Sequence, residues 1–287
     1  MVTIGNELLQ VRIHPHGAEL QSLYHQQHKI EYMWNGDPAY WGKYSPVLFP
    51  IVGQLKDNSY TWQGQTYHLP RHGFAREKDF IIESAGATSA VFALYSSEAT
   101  KAVYPFDFVL RLRYELEGNS LGVSYEVTNT GMGDMYFSVG GHPAFAVPLE
   151  KNKSYSDYFI RFSQKEQAPR WLIADGLIDA ATGFLQNEDE IPLTHELFYK
   201  DALVFKHLHS KETGIYCNTS KHWLTVNIDG FPYLGIWAAK DAPFVCLEPW
   251  AGIADSVHHS GLLEEKEGVM RLPAGSSRTL TWRVNCF

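Results

Sequence analysis

Phe108-Val109-Leu110-Arg111-Leu112-Arg113-Tyr114-Glu115-Leu116 places apolar side chains on one face and charged ones on the other with a period of two, the pattern of a half-buried strand. Glu117-Gly118-Asn119-Ser120 follows as a turn. The alternation resumes in Leu121-Gly122-Val123-Ser124-Tyr125-Glu126-Val127-Thr128-Asn129, so the two runs predict an antiparallel hairpin. Shorter runs of the same kind predict strands at Leu8–Ile13, Ile81–Ser84, Val91–Tyr95, Tyr158–Phe162, Trp223–Ile228, Tyr233–Ala238, Phe244–Leu247 and Thr279–Val284. Long stretches of period 3.6 are absent, and the 23 Gly and 14 Pro punctuate the strands. The pattern predicts an all-β chain, a large antiparallel β-sandwich with few short helices rather than a βαβ fold. No linker, repeat, low-complexity tract or charge block divides it, so residues 1–287 are expected to form one domain.

Composition narrows the function classes. The net charge of −8 supplies no basic face for nucleic acid or an anionic membrane. No run approaches the ~18 apolar residues of a membrane helix, and Met1-Val2-Thr3-Ile4-Gly5-Asn6-Glu7 has neither a basic nor an apolar leader segment. Cys217, Cys246 and Cys286 have no close spacing, which argues against a disulfide framework or a cysteine zinc site. A soluble protein of the reducing cytoplasm is expected. The 8 Trp, 16 Tyr and 16 Phe suit either a large β core or the stacking of rings on sugar faces.

Three stretches concentrate chemistry. In Ser138-Val139-Gly140-Gly141-His142-Pro143-Ala144-Phe145, two glycines allow a bulge or a close backbone approach, and Pro143 biases His142 toward extended dihedrals, so the imidazole is aimed. Glu248 follows the apolar run Phe244–Leu247 and precedes Pro249-Trp250; a carboxylate at such a strand end is partly desolvated and a better base for it. Leu69-Pro70-Arg71-His72-Gly73-Phe74-Ala75-Arg76 adds a second imidazole between two guanidinium groups. Asp201 opens a strand-like run and suits either a turn or sugar hydroxyls, and the turn-rich aromatic segment Asn35–Pro46 is expected to wall a cleft. His258-His259 with Asp255 is a weak metal candidate, because adjacent histidines point apart in regular structure. His14, His16, His25, His28, His207, His209 and His222 read as solvated or structural. GxSxG, Walker, GxGxxG and HExxH motifs are absent, which speaks against serine nucleophiles and nucleotides.

Taken together, Gly17-Ala18-Glu19-Leu20 with Ser22, Trp34-Asn35-Gly36-Asp37, Ser45-Pro46-Val47-Leu48-Phe49-Pro50, Arg71–Arg76, Gly141–Phe145 and Leu247–Trp250 resemble the aldose 1-epimerase (galactose mutarotase-like) superfamily. Within it, the chain resembles the branch of the lactose-operon X protein. The resemblance runs from about Ile13 to Val284. It implies a sugar substrate, a cofactor-free and metal-free reaction, Glu248 as general base at the anomeric hydroxyl and His142 as general acid at the ring oxygen. It further implies His72 as the imidazole that orients the sugar, with Arg71, Asp201, Arg76 and Trp250 in the binding site. Near pH 7 those roles call for an ionised carboxylate facing a protonated imidazole. One departure stands out: where galactose mutarotases carry an arginine-asparagine-arginine segment, this chain reads Phe49-Pro50-Ile51-Val52-Gly53. A neutral aldose is the expected substrate, with a hexose 6-phosphate as the alternative. A non-catalytic carbohydrate-binding module and a metal-dependent hydrolase using His72, His142 and Glu248 are the rival classes.

Overall fold

The predicted hairpin forms the strands Phe108–Glu117 and Ser120–Asn129, paired in register from Phe108 opposite Asn129 to Glu117 opposite Ser120 around Gly118-Asn119. The computed structural model describes all residues, 1–287. Along the hairpin, inward Leu110, Leu112, Tyr114 and Leu116 are buried, while Arg111 on the other face bridges Glu83 and Glu126 at 2.7 and 3.2 Å. The periodicity is thus the imprint of a sheet with one wet face.

This hairpin belongs to a sheet of 15 antiparallel strands. Its main path runs from Val47–Leu48 through Val139–Gly141, Phe244–Ala251, Tyr233–Trp237, Leu203–Lys206, Tyr158–Ala174, Glu212–Cys217, Leu224–Asn227 and Ser277–Cys286, then across the hairpin to Ser89–Tyr95 and Ile81–Ala85. Phe49 leaves the first of these strands and Phe108 lies ten strands further along, which in a flat sheet would separate them by ~48 Å. Their ring centroids are 5.1 Å apart. The sheet therefore closes on itself as a sandwich, and Phe49, Phe74, Tyr104, Phe108 and Phe137 fill the space between its two halves within a core of 73 buried residues. A second sheet, Val2–Gly5, Leu9–His14, Glu19–His25 and Ile30–Glu31, completes the N-terminal side. Helix is confined to one four-residue turn, Glu98–Lys101, and five 3-10 turns.

Strands such as Glu19–His25 and Glu212–Cys217 are not among those expected from the sequence, and two expected strands differ in ways that bear on the site. The strand at Tyr158–Phe162 continues to Ala174 and pairs with Leu177–Pro192, a long hairpin with four register shifts. Each shift resets which side chains face inward, so no alternation survives in the sequence. The strand expected to end at Leu247 runs on through Pro249 to Ala251, and all eight of its residues are buried. Glu248 consequently lies inside the sheet rather than at a strand end.

Candidate active site

Register explains why His142 meets Glu248. Along the strand Phe244–Ala251, Trp250 pairs with Gly140 and Cys246 with Ala144, so His142 stands opposite Glu248 between the two paired segments. Pro143 and Pro249 lack an N–H, and the hydrogen-bond ladder opens at this point. The His142 N–H turns instead to Pro46 O at 3.2 Å. The ring then lies with its Nδ1 3.4 Å from Glu248 Oε2. That separation is beyond a well-formed hydrogen bond, and Nδ1, shielded from solvent, has no hydrogen-bond partner.

Cys246, Glu248 and Trp250 share one face of their strand, and the neighbouring strand presents Trp237, Gly235 and Tyr233 opposite them. Gly140 and Gly235 leave room for the Trp250 indole, whose Nε1–H donates to Glu248 Oε2 at 3.2 Å. A methyl group on Gly235 would lie 2.4 Å from Trp250 Cζ2, and one on Gly140 2.9 Å from Trp250 Cδ1. The two glycines, on the strands either side of the Glu248 strand, therefore serve the indole that holds the carboxylate. Gly235→Ala is expected to lower stability by ~1–3 kcal/mol through overpacking and to change the near-ultraviolet dichroism of the tryptophans. An unchanged urea midpoint would show that the indole does not need that space.

The His142 imidazole is boxed by aromatics: stacked on Trp41 at 4.8 Å and 28°, and edge-on to Trp237 at 5.6 Å and 90°. Trp41 is itself placed by Trp34, whose Nε1–H donates to Trp41 O at 2.9 Å, and by Glu19 Oε1, which accepts the Tyr44 and Ser45 N–H groups. The segment Asn35–Pro46 does wall the cleft, through Trp41.

His72 is fixed by the end of the Phe49–Gly53 segment. Its N–H donates to Gly53 O at 2.8 Å and its Nδ1 accepts the Gly53 N–H at 3.1 Å. Gly53 is at φ +74°, and a methyl group there would lie 2.5 Å from Ala254, so the site admits glycine alone. Phe49 O accepts the Phe74 and Ala75 N–H groups from the same turn. Burial, assisted by His142 and the two arginines, holds the His72 pKa well below its ordinary value. The ring is neutral, Nδ1 is an acceptor, and the proton sits on Nε2 as a donor. Arg76 donates from its NH2 group to Arg71 O at 2.9 Å and so pins the turn. The Arg71 guanidinium is half exposed and reaches to 3.8 Å from Asp201 Oδ1.

All seven residues singled out in the sequence, His142, Glu248, His72, Arg71, Arg76, Asp201 and Trp250, line one cleft of about 450 Å³. His258 and His259 do not: His259 Nε2 lies 3.7 Å from Asp255 Oδ1, whose charge is taken by Lys266 at 2.7 Å. Among the cleft residues, sequence reasoning did not single out Trp237, Lys200 or the tip of the long hairpin, where Ile173, Gly176 and Ile178 cover one end; it also gave no site role to Cys246, which is wholly buried beside Glu248 on the same strand face. Trp237 and Cys246 carry a signal only once their strands are aligned with that of His142.

Burial reverses the charge state expected of the pair. It pushes the Glu248 carboxyl well above the ordinary carboxylate range, opposed by Arg71 and the Trp250 N–H and reinforced by Asp201. It pushes His142 down to about 3, with Arg76 and Arg71 adding to the effect. Both shifts favour the neutral pair, a protonated Glu248 carboxyl facing a His142 ring that carries a single N–H. The arrangement sets an acid beside a base, close enough for a proton to pass when the 3.4 Å gap closes, with fixed donors around them.

The profile described as aldose 1-epimerase matches residues 1–260. The chain is similar to the chromosomal LacX protein of Lactococcus lactis subsp. lactis, 33% identical with 96% of each chain covered. Among solved structures it is similar to a galactose mutarotase related enzyme from Lactobacillus acidophilus, with a TM-score of 0.95, 35% identity, and 99% and 96% of the two chains covered. It is also similar to a galactose mutarotase-like protein from Lactobacillus casei, with a TM-score of 0.92, 30% identity and both chains covered completely.

Proposed function

The chain belongs to the aldose 1-epimerase family, and from that premise we propose that it interconverts the α and β anomers of an aldose by opening and reclosing the hemiacetal ring. The observation that carries this reading is the cross-strand placement of His142 opposite Glu248, 3.4 Å apart and shielded from solvent.

The chemistry follows from where the shared proton resides. His142 donates its Nε2 proton to the ring oxygen while its Nδ1, left unpartnered, takes the proton of the Glu248 carboxyl. The carboxylate so formed removes the C1 hydroxyl proton, the C1–O bond to the ring oxygen breaks, and the open aldehyde is left beside a neutral pair. After rotation about C1–C2 the same transfers run backwards and close the ring on the other face. Protons balance at each step and the cleft never gains net charge, which suits a site burial keeps neutral. His72 Nε2–H and Asp201 hold sugar hydroxyls, and Trp41 and Trp237 offer ring faces to the sugar. Polarimetry or NMR of freshly dissolved anomers of several aldoses is the direct test. Failure to accelerate any of them, 6-phosphates included, removes the proposal; sugar binding by the wild type without turnover, and with an affinity that Glu248→Gln leaves unchanged, points to a binding module.

The neutral aldose remains the first substrate reading. A hexose 6-phosphate is the second, favoured by the half-exposed Arg71 guanidinium and the neighbouring Arg76 and Lys200 along the cleft. Charge-assisted contacts to a phosphate are worth ~1.5–3 kcal/mol, about 10- to 100-fold in kcat/KM. For a neutral substrate, Arg71→Ala is expected to change kcat/KM by less than about tenfold, with little dependence on salt. A preference for 6-phosphates that falls with added salt and disappears in Arg71→Ala would select the second reading.

A further inference from the structure

Cys246 lies beside the proposed acid/base pair and takes no part in the steps above. It is wholly buried, opposite the small Ala144 and one position diagonal to His142. The ligand atoms of His142, Cys246 and Glu248 all fall within 4.8 Å of one another. We propose that these three side chains form a site for a thiophilic divalent cation of the zinc or cadmium class, and that its occupation shuts off the epimerase.

The distances fit a metal better than they fit the contacts present. At a tetrahedral centre, bonds of about 2.1 Å set neighbouring nitrogen and oxygen donors about 3.4 Å apart. His142 Nδ1 and Glu248 Oε2 are 3.4 Å apart, beyond a well-formed hydrogen bond. His142 Nδ1 is buried and without a hydrogen-bond partner, an orphan that a cation would satisfy. Bringing in the sulfur, which at such a centre lies about 3.6 Å from the other donors, takes a shift of about 1.2 Å at most. Glu248 Oε2 is already steadied by the Trp250 Nε1–H, the kind of outer contact that orients a metal-bound carboxylate. One thiolate, one imidazole and one carboxylate select zinc or cadmium over magnesium or calcium, which prefer all-oxygen sites. Three protein ligands leave a fourth position for water or a sugar hydroxyl. A cation bound there occupies both the Nδ1 that must accept a proton and the carboxylate that must take one. The binding half stands on these residues alone; the inhibitory half rests on the proposed epimerase.

Cadmium titrated into the full-length protein, followed by the ultraviolet thiolate-to-metal absorption and by calorimetry, is the test. The expected result is one equivalent bound with growth of the thiolate band, matched by loss of anomerisation and its return on chelation. Loss of an outer contact alone costs ~10- to 100-fold in metal affinity, so Cys246→Ser is expected to weaken binding at least ~100-fold and to abolish the band. Cys217 and Cys286, unchanged in that variant, control for adventitious thiol binding. Cys246→Ala, checked for folding by circular dichroism, serves if the serine variant does not fold. No binding by wild type, or binding unaltered in both variants, overturns the site. Stoichiometric binding without inhibition of an active enzyme overturns the regulatory half. Because the band is read without substrate, an absence of epimerase activity leaves the binding result standing.

Discussion

Glu248→Gln is expected to slow anomer interconversion by ~10²- to 10⁴-fold, the usual worth of a positioned proton-transfer group, while making the fold more stable at neutral pH. The two effects share a cause. Glu248 is 1% exposed, and burial keeps its proton on in the folded chain above the pH at which it leaves in the unfolded one. Through that window the folded state binds more protons, so stability falls as pH rises from the ordinary carboxylate value. Glutamine does not titrate, and its amide can serve both the Trp250 N–H and His142 Nδ1. The stability advantage of Glu248→Gln should therefore be absent near pH 4 and grow with pH. His142→Asn should tilt the curve the other way. His142 is pushed down to about 3, so wild type loses stability as pH falls from about 6.5 towards that value, and asparagine removes the loss. Thermal melts across pH 4–8 with NMR anomer-exchange rates on both variants provide the check. Parallel curves for wild type and Glu248→Gln would mean that the carboxylate is charged in the folded protein, and the proton relay would fall with that result.

Those opposed tendencies also mark where the sequence was legible. The hairpin of Phe108–Glu117 with Ser120–Asn129 could be read because one face is wet and period two survives along it. The pairing of Tyr158–Ala174 with Leu177–Pro192 could not, because its register shifts scramble the alternation. Pro249 reads as a strand terminator, yet it sits where the neighbouring ladder opens at Pro143 and its missing N–H costs nothing. The seven site residues were recognisable as types in unusual local settings, and their resemblance to a family assigned them roles. Local sequence carries no cross-strand register. Only the pairing of Gly140 with Trp250 and of Ala144 with Cys246 puts the imidazole against the carboxylate and the thiol beside both. The Phe49–Gly53 segment shows the same limit from the other side. Its apolar residues show no chemistry, but its backbone holds the second imidazole at both its amide and its ring nitrogen.

Lys266→Met is expected to cost ~3–5 kcal/mol, the penalty for stranding one partner of a buried ion pair, and to lower the melting temperature by on the order of 10 °C. Lys266 Nζ and Asp255 Oδ1 lie 2.7 Å apart with both side chains wholly buried. Asp255 is also a junction for the cleft wall. Its Oδ2 accepts the Lys56 N–H at 2.9 Å, its N–H donates to Gln54 O, and its carbonyl accepts the Ile178 N–H from the long hairpin. Gln54 adjoins Gly53, the anchor of His72, and Ile178 lines the cleft. An uncompensated Asp255 carboxylate would draw water or a new partner into this junction, so the damage should reach the site as a raised KM with kcat less affected. Adding Asp255→Asn to Lys266→Met removes the stranded charge yet keeps an oxygen for the Lys56 N–H, and should recover much of the lost stability and the KM. Recovery of stability without recovery of KM would locate the cleft effect in Lys266 itself. If Lys266→Met alone melts like wild type, the pair is not the tie that holds the cleft wall.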